Sequence, residues 1–322
     1  MLSEPRQPWP RRTVAYKRIT AGIHRPGCDD CPVEFLTDFE PAYGECVTVA
    51  PGLRRVVARN PSKYTAWGTG TYIVGEGDVA IIDPGPPLDE HVDALLRSVA
   101  GERVTHILVT HTHADHSPAA AALREATGAP TYGFGPHPMG GVTESEEHGD
   151  TAFVPDVVVG HGDHIGGESF DIECLHTPGH ISNHLCYADA ARGALFPGDH
   201  VMGWSTSVIS PPDGRIADYM RSLDLLLGRD DAVYFPTHGP PIVEPLVHVA
   251  ALRDHRLERE EQILTLLADA PRTIGELVAV MYAAVRSELH EPAARSVHAH
   301  LVKLLDDEVV EQHDDGEWTL RV

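Results

Sequence analysis

The stretch Val104-Thr105-His106-Ile107-Leu108-Val109-Thr110-His111-Thr112-His113-Ala114-Asp115-His116 decides the fold. Residues 104–110 are an apolar, β-branched run of the kind buried in a sheet, and they deliver the chain straight into His111, His113, Asp115 and His116. A histidine nitrogen binds zinc at about 2.0–2.1 Å and a carboxylate oxygen at similar range. His111 and His113 are separated by one residue, so in an extended turn both side chains point the same way. Asp115 and His116 follow where an Ala-rich segment begins. Four ligand-type residues in six positions crowd a single tetrahedral ion. Two ions side by side relieve the crowding, one taking His111 and His113, the other Asp115 and His116.

Each ion needs further ligands, and three strand ends marked by Gly and Pro offer them. His180 closes His176-Thr177-Pro178-Gly179-His180, Asp199 lies in Phe196-Pro197-Gly198-Asp199-His200, and His238 lies in Pro236-Thr237-His238-Gly239-Pro240. Loops at strand ends are where binding residues gather. The expected assignment puts His180 on the first ion, His238 on the second, and Asp199 between them. A lone H-x-H is commonly a pair of solvated histidines. The complete set, in order and in matching contexts, carries the reading.

Upstream of the run, residues 47–49, 53–58, 72–74 and 79–82 read as short strands between Gly/Pro turns, the last ending at Asp83-Pro84-Gly85. Residues 88–99 have helical spacing through Val92, Leu95, Leu96 and Val99, and residues 118–127 form an Ala-rich helix. Downstream, residues 170–175, 185–187, 193–196 and 232–235 read as strands, with a helix at 219–227. Strands first, then strand–helix alternation, twice over, predict an α/β architecture of two mixed sheets with helices outside. Past Pro245 the character changes. Residues 247–267 predict a long charged amphipathic helix, and 273–282 and 293–305 two more, with a hairpin from 309–312 and 318–322. That is a winged-helix pattern, with Thr273 and Glu276 as a capping box. The expected division is an N-terminal extension (1–45), a catalytic domain (46–247) and a winged-helix-like domain (248–322).

The 322 residues suit one large domain and one small one. No apolar run is long enough to cross a membrane. The first thirty residues are rich in Pro and Arg without an apolar core, which argues against a secretory leader, so a cytoplasmic protein is expected. Five cysteines do not suggest a disulfide framework. Cys28 and Cys31 form a C-x-x-C without a second pair to complete a zinc site, and are read as incidental. The net charge of −23 disfavours nonspecific binding to a polyanion.

On these residues the chain resembles the metallo-β-lactamase fold superfamily, whose pattern H-x-H-x-D-H, then H, D and H, matches His111, His113, Asp115, His116, His180, Asp199 and His238. The resemblance spans residues from about 46 to 245. It implies a four-layer αβ/βα sandwich with the metals at one edge between the sheets, two zinc ions as cofactor, and manganese or iron as alternatives. It also implies that Asp83 steadies a ligand histidine from behind. The commonest zinc β-lactamases place a cysteine at the later metal site, whereas this chain has Asp199 there and His116 after Asp115. A β-lactam substrate is therefore not expected. Flavodiiron relatives replace the second histidine of the run with an acid, and His113 keeps it.

Within the superfamily the chain is similar to the lactamase-like subfamily with a C-terminal winged helix. Gly68-Thr69-Gly70-Thr71-Tyr72, Thr177-Pro178-Gly179-His180, Gly198-Asp199, His238-Gly239-Pro240-Pro241 and Leu301-Val302-Lys303-Leu304-Leu305 carry that likeness. The subfamily includes a single-stranded-RNA endonuclease and thioesterases acting on carrier-bound acyl chains. The expected activity is hydrolysis of a small ester, thioester or lactone by a metal-bound hydroxide, with Asp115 and Asp199 as catalytic carboxylates. The alternative is a metal-dependent single-stranded endoribonuclease.

Residues 250–322 hold eight Lys/Arg against fifteen Asp/Glu, the opposite of a phosphate-binding face. Arg253, Arg256 and Arg259, interleaved with Glu258, Glu260 and Glu261, read as a salt-bridged solvent face, and the winged helix as a lid or homodimer element. Trp204 and Ser205, just beyond Asp199, are the candidate substrate contacts. His184 and His200 adjoin ligands and are candidate supports, whereas His137, His161 and His164 read as surface residues.

Overall fold

The computed structural model describes residues 33–138, 149–283 and 290–321. Seven strands form the first sheet in sequence order: β1 (Val47–Ala50), β2 (Leu53–Val57), β3 (Gly70–Glu76), β4 (Asp78–Ile82), β5 (Arg103–Leu108), β6 (Thr131–Gly133) and β7 (Val157–Val158). The first four are an antiparallel meander and the rest run parallel. Helices α1 (Asp89–Ser98) and α2 (Ala120–Thr127) make the crossovers that parallel pairing requires. The second sheet has the order β12-β11-β10-β9-β8, from β8 (His164–Gly166), β9 (Asp171–His176), β10 (Leu185–Asp189), β11 (Ala194–Phe196) and β12 (Val233–Tyr234). Helix α3 (Ile216–Leu227) links its one parallel pair.

Alternation along the strands produces the layers. Tyr72, Val74, Ile82 and Leu108 leave one face of the first sheet and meet Ile172, Cys174, Leu185, Tyr187 and Phe196 of the second. Ile73, Ile81 and Ile107 leave the opposite face and pack under Ala94, Leu95 and Leu123 of α1 and α2. Leu175, Cys186 and Leu195 do the same beneath Tyr219, Leu223 and Leu226 of α3 and Val249 and Leu252 of α4 (Pro245–Asp269). Each large apolar side chain so buried contributes about 1.5–3 kcal/mol. The result is the expected helix–sheet–sheet–helix sandwich.

Helix α4 runs on into a separate core with α5 (Ile274–Met281), α6 (His290–Asp306) and the hairpin β13 (Val310–Gln312) and β14 (Trp318–Leu320). Both arms of the capping box are present: Glu276 N–H meets the Thr273 hydroxyl at 3.3 Å, and Thr273 N–H meets the Glu276 carboxylate at 2.8 Å. Trp318 is buried at the centre of this winged-helix unit, and its strand also bridges Arg272.

The structure departs from the sequence expectations in several places. Strands β6, β7 and β8, each of two or three residues, were not foreseen. Helix α3 begins three residues earlier, at Ile216. The arginine stripe is not a uniform solvent face. Arg253 pairs with Asp224 of α3 at 2.8 Å, as a surface pair would, but Arg256 is 4 % exposed. Most of the N-terminal extension, with Cys28 and Cys31, lies outside the described residues. Cys174 and Cys186 are free and their thiols are pushed up to about 12 by burial, which leaves them inert at neutral pH. No helix among the described residues is long and apolar enough to cross a membrane.

Candidate metal centre

Four chain segments converge at one end of the sandwich. The turn after β5 brings His111, His113, Asp115 and His116, the turn after β9 brings His180, the turn after β11 brings Asp199, and the turn after β12 brings His238. Gly179 and Gly198 make two of these turns possible. Gly179 has φ +145°, and a Cβ there would lie 2.4 Å from the Tyr219 Cα; Gly198 has φ +51°, and its Cβ would lie 2.7 Å from His184 Nε2.

All seven residues lie in one cluster whose ligand-type atoms fall into three overlapping groups: His111, His113 and His180; Asp115, His116 and His238; and His111, His116 and Asp199. In the first group His113 Nδ1 lies 3.0 Å from His111 Nε2 and 2.9 Å from His180 Nε2. In the second, Asp115 Oδ2 lies 3.1 Å from His238 Nε2 and 3.4 Å from His116 Nε2. Asp199 Oδ1 lies 3.5 Å from His116 Nε2 and 3.4 Å from His238 Nε2. Two nitrogens on one tetrahedral zinc stand roughly 3.3 Å apart at the usual bond length, so these spacings suit the ion. The cluster is deeply buried except at His113 and Asp115, which are half-buried, the Asp115 side chain being 26 % exposed.

Hydrogen bonds behind the cluster fix which nitrogen of each ring faces inward. A carboxylate only accepts, so His116 Nδ1–H donates to Asp83, 2.9 Å away. The Thr110 hydroxyl donates to the same carboxylate at 2.9 Å and so accepts from His111 Nδ1–H at 3.1 Å. His238 Nδ1–H donates to the Gly68 carbonyl at 3.1 Å, and His180 Nδ1–H to the Val208 carbonyl. In each of these four rings Nε2 is therefore the atom turned into the cluster, a lone pair wherever the ring is neutral and, at His116, a proton that a cation would displace. His113 Nδ1 has at most one proton to share between two such lone pairs. His116 Nε2, His238 Nε2 and Asp199 Oδ1 are buried with no hydrogen-bond partner. Inward lone pairs and carboxylates without donors fit divalent cations, and the donor set of imidazole and carboxylate suits zinc, iron and manganese.

Electrostatics agree. Burial, reinforced by the neighbouring imidazoles, drives His111 well below its ordinary value. Burial and His180 take His113 down to about 3, so both stay neutral. At His116 burial works in the same direction but is outweighed by Asp115, Asp199 and Asp83, which hold it well above the histidine range. Burial would raise the Asp199 carboxyl, but His238 and His116 outweigh it and keep it ionised. The half around His116 attracts positive charge, and the half around His111 offers neutral nitrogen.

Asp83 and His184 both stand behind the cluster. Asp83 also takes the Thr110 N–H at 2.8 Å and the Thr237 hydroxyl at 2.8 Å, so it braces the turns carrying His111, His116 and His238. His184 is fully buried, bonded to the Thr177 hydroxyl at 3.0 Å, and its Nε2 lies 3.3 Å from the Asp199 N–H. His200 lies tilted against Tyr219 with ring centroids 4.7 Å apart, and both its ring nitrogens are buried without a hydrogen-bond partner among the described residues. Trp204 meets Trp67 edge-on at 6.5 Å, and Trp67 meets Phe39 at 5.5 Å. Both indoles pack close to Gly239, next to His238. Ser205 bonds only the carbonyl of its neighbour Thr206, which ties it to nothing in the cluster.

Two residues at the site were missed in the sequence. Trp67 had no partner in view until the turn at Gly239 brought Trp204 beside it. His137, read as a surface residue, bonds the Thr112 hydroxyl at 2.8 Å and sits 6.5 Å from the His113 ring. No local pattern marks it, because Thr112 is remote in sequence. His161 and His164 are exposed, as expected.

The metallo-β-lactamase superfamily profile matches residues 67–238, and that of the β-lactamase-associated winged-helix domain matches residues 273–318. The chain is 30% identical over 265 residues to the beta-lactamase-like protein 2 homolog of Drosophila melanogaster, covering 78% of this chain and 86% of the relative. It is 28% identical over 260 residues to an atrochrysone carboxyl ACP thioesterase of Aspergillus terreus, covering 76% of each. A beta-lactamase domain protein from Burkholderia ambifaria superposes with a TM-score of 0.73 at 22% identity, covering 90% of this chain and 97% of the other. A metallo-beta-lactamase family protein from Thermus thermophilus gives 0.69 at 23%, covering 85% and 100%.

Proposed function

The chain belongs to the metallo-β-lactamase superfamily of divalent-metal hydrolases, and from that footing we propose that it uses two cations, zinc foremost, to hydrolyse a small ester, thioester or lactone. The observation that carries this is the pair of ligand triads with Asp199 beside both, every inner nitrogen but one turned inward by a bond behind it. His111, His113 and His180 would hold one ion, and Asp115, His116 and His238 the other, with Asp199 shared. Bound there, divalent cations make hydroxide available at neutral pH and polarise the oxygen under attack.

The chain's own groups do the rest. Asp199 orients the attacking water from between the triads, and Asp115, the most exposed carboxylate of the set, accepts its proton and faces the entering substrate. Asp83 keeps His111 and His116 in the tautomer that leaves Nε2 open. Trp204 and Trp67, beside Gly239, offer an apolar aromatic wall for the acyl part of a substrate. Residues 46–247 serve as the catalytic unit and 248–322 as the winged-helix-like unit behind it.

A small acyl substrate is favoured over RNA by charge. The whole chain carries −23, and its winged-helix end is acidic, where an RNA groove needs clustered cations. A relative of similar length bears the name thioesterase. The decisive experiment is a panel of acyl thioesters, lactones and short single-stranded RNAs, offered to zinc-loaded protein and to Asp199→Ala. Turnover of a thioester or lactone that is lost in the variant supports the reading. Cleavage of RNA alone replaces it with the endoribonuclease, and turnover unchanged in the variant removes the site from the chemistry.

A further inference from the structure

Helix α4 begins on the outer face of the second sheet and ends in the winged-helix core, and midway along it lies a buried charge that the hydrolytic reading does not use. Arg256 is 4 % exposed. Its partners among the described residues are the Ser207 carbonyl, the Ser296 hydroxyl of α6 at 3.3 Å, and the face of Tyr219 at 5.3 Å, with no carboxylate. A buried guanidinium held only by neutral groups is costly, so the contact that it makes deserves a function.

That contact falls on the loop that carries Asp199 and bonds His180. Ser207 accepts Arg256 through its carbonyl, and its hydroxyl bonds the Asp199 carbonyl at 2.6 Å and the His200 carbonyl at 2.8 Å. The Tyr219 hydroxyl, under the same guanidinium, lies 3.5 Å from the Ser207 hydroxyl. The next residue, Val208, supplies the carbonyl that takes His180 Nδ1–H and so turns His180 Nε2 inward. Two adjacent residues thus set the backbone of Asp199 and the tautomer of His180, and the first of them is clamped from α4.

We propose that Arg256 is a positioning residue for the metal ligands: through Ser207 and Val208 it fixes Asp199 and His180, so that the α4–α6 unit completes the metal site rather than merely accompanying it. This rests on the proposed two-metal reading. It assigns the C-terminal unit a role in metal retention that requires neither RNA nor a moving lid. Groups that orient ligands from behind typically carry a factor of about 10–100 in metal affinity. Loss of the guanidinium is expected to cost that much most clearly at the ion held by His111, His113 and His180, because His180 serves that ion alone while Asp199 is shared with the other.

The test measures zinc stoichiometry and affinity by competition with a chromogenic chelator, on full-length protein well below each variant's melting temperature. The set is wild type, Arg256→Met, Arg256→Lys, Ser207→Ala and Arg253→Met. Arg253→Met is the control, because it breaks a contact between α4 and α3 without touching the 205–210 loop. The expected result is at least a tenfold loss at one of two ions in Arg256→Met and in Ser207→Ala, partial recovery in Arg256→Lys, and wild-type affinity in Arg253→Met. The double variant of Arg256 and Ser207 should lose little more than either single one, since both break one relay.

Wild-type affinity in a folded Arg256→Met, or an equal loss in Arg253→Met, overturns the proposal and leaves Arg256 as packing. If Arg256→Met does not fold, Ser207→Ala decides, and unchanged affinity there is equally fatal. Failure of wild type to bind two ions would instead sink the two-metal reading, an outcome separable from all of these.

Discussion

The Asp83 carboxylate stands 2.9 Å from Nδ1 of His116, and neither side chain is more than 1 % exposed. The same carboxylate takes two bonds from Thr110 and one from Thr237, so one acid meets four donors. Asp83 also holds φ at +50°, a strain that a short polar side chain tolerates best. Asn at this position keeps the shape and backbone preference but has one acceptor oxygen for those donors. Asp83→Asn is therefore expected to retain its secondary structure and to bind zinc about 10–100-fold more weakly, read by chelator competition. Unchanged affinity would mean that His116 is oriented by something else.

Protons also act on the fold away from the cluster. Burial lowers His91 to about 4 from its ordinary 6.5. Between those values the unfolded chain takes up a proton that the folded chain refuses, so stability falls as pH drops from 6.5 towards 4. The slope is up to about 1.4 kcal/mol per pH unit, and the loss levels off below the folded value. His91→Met gives up the bond to Thr71 at neutral pH but should flatten this dependence. Urea midpoints of the two proteins between pH 4 and 7 provide the comparison, and parallel curves would show that His91 does not carry the acid sensitivity.

Gly179→Ala places a methyl group against the Tyr219 backbone at an unfavourable φ. Backbone cannot yield as a flexible side chain does. A loss of roughly 1–3 kcal/mol in unfolding free energy is expected, together with weaker metal binding because His180 is the next residue. A variant with full stability would show that the turn has another way to relax.

Trp204→Ala should raise KM for an acyl substrate about tenfold, ~1.4 kcal/mol, and leave zinc stoichiometry at its wild-type value. An unchanged KM would reduce the aromatic wall of Trp204 and Trp67 to loop packing.

Much of this arrangement could be read from residue order alone. Residues 104–110 announce a buried strand because every position but His106 is apolar or β-branched, and the ligands follow at strand ends where Gly and Pro mark the turns. Asp83 was accessible through resemblance to related chains, but its four-donor role was not, since Thr237 is 154 positions away. Arg256 was misread for a related reason. Its spacing from Arg253 and Arg259 fits one solvent face, and only the docking of α4 on α3 reveals that Ser207 and Tyr219 cover the middle one. The short strands β6 and β7 escaped as well. What pattern cannot supply, in each case, is a partner distant in sequence.

The ligand-type residues are unevenly spread along the chain: four fall between positions 111 and 116, and the last is His238. A ribosome adding about 5–20 residues per second takes roughly 6–24 s to pass from the first group to the last. Throughout that interval the nascent chain presents a partial chelator, with neither triad complete until later turns emerge and dock. Asp83 cannot receive Thr237 before then either. Closure of the cluster is thus a late event in the protein's synthesis, and tight metal retention becomes a mark of a chain whose two sheets have already come together.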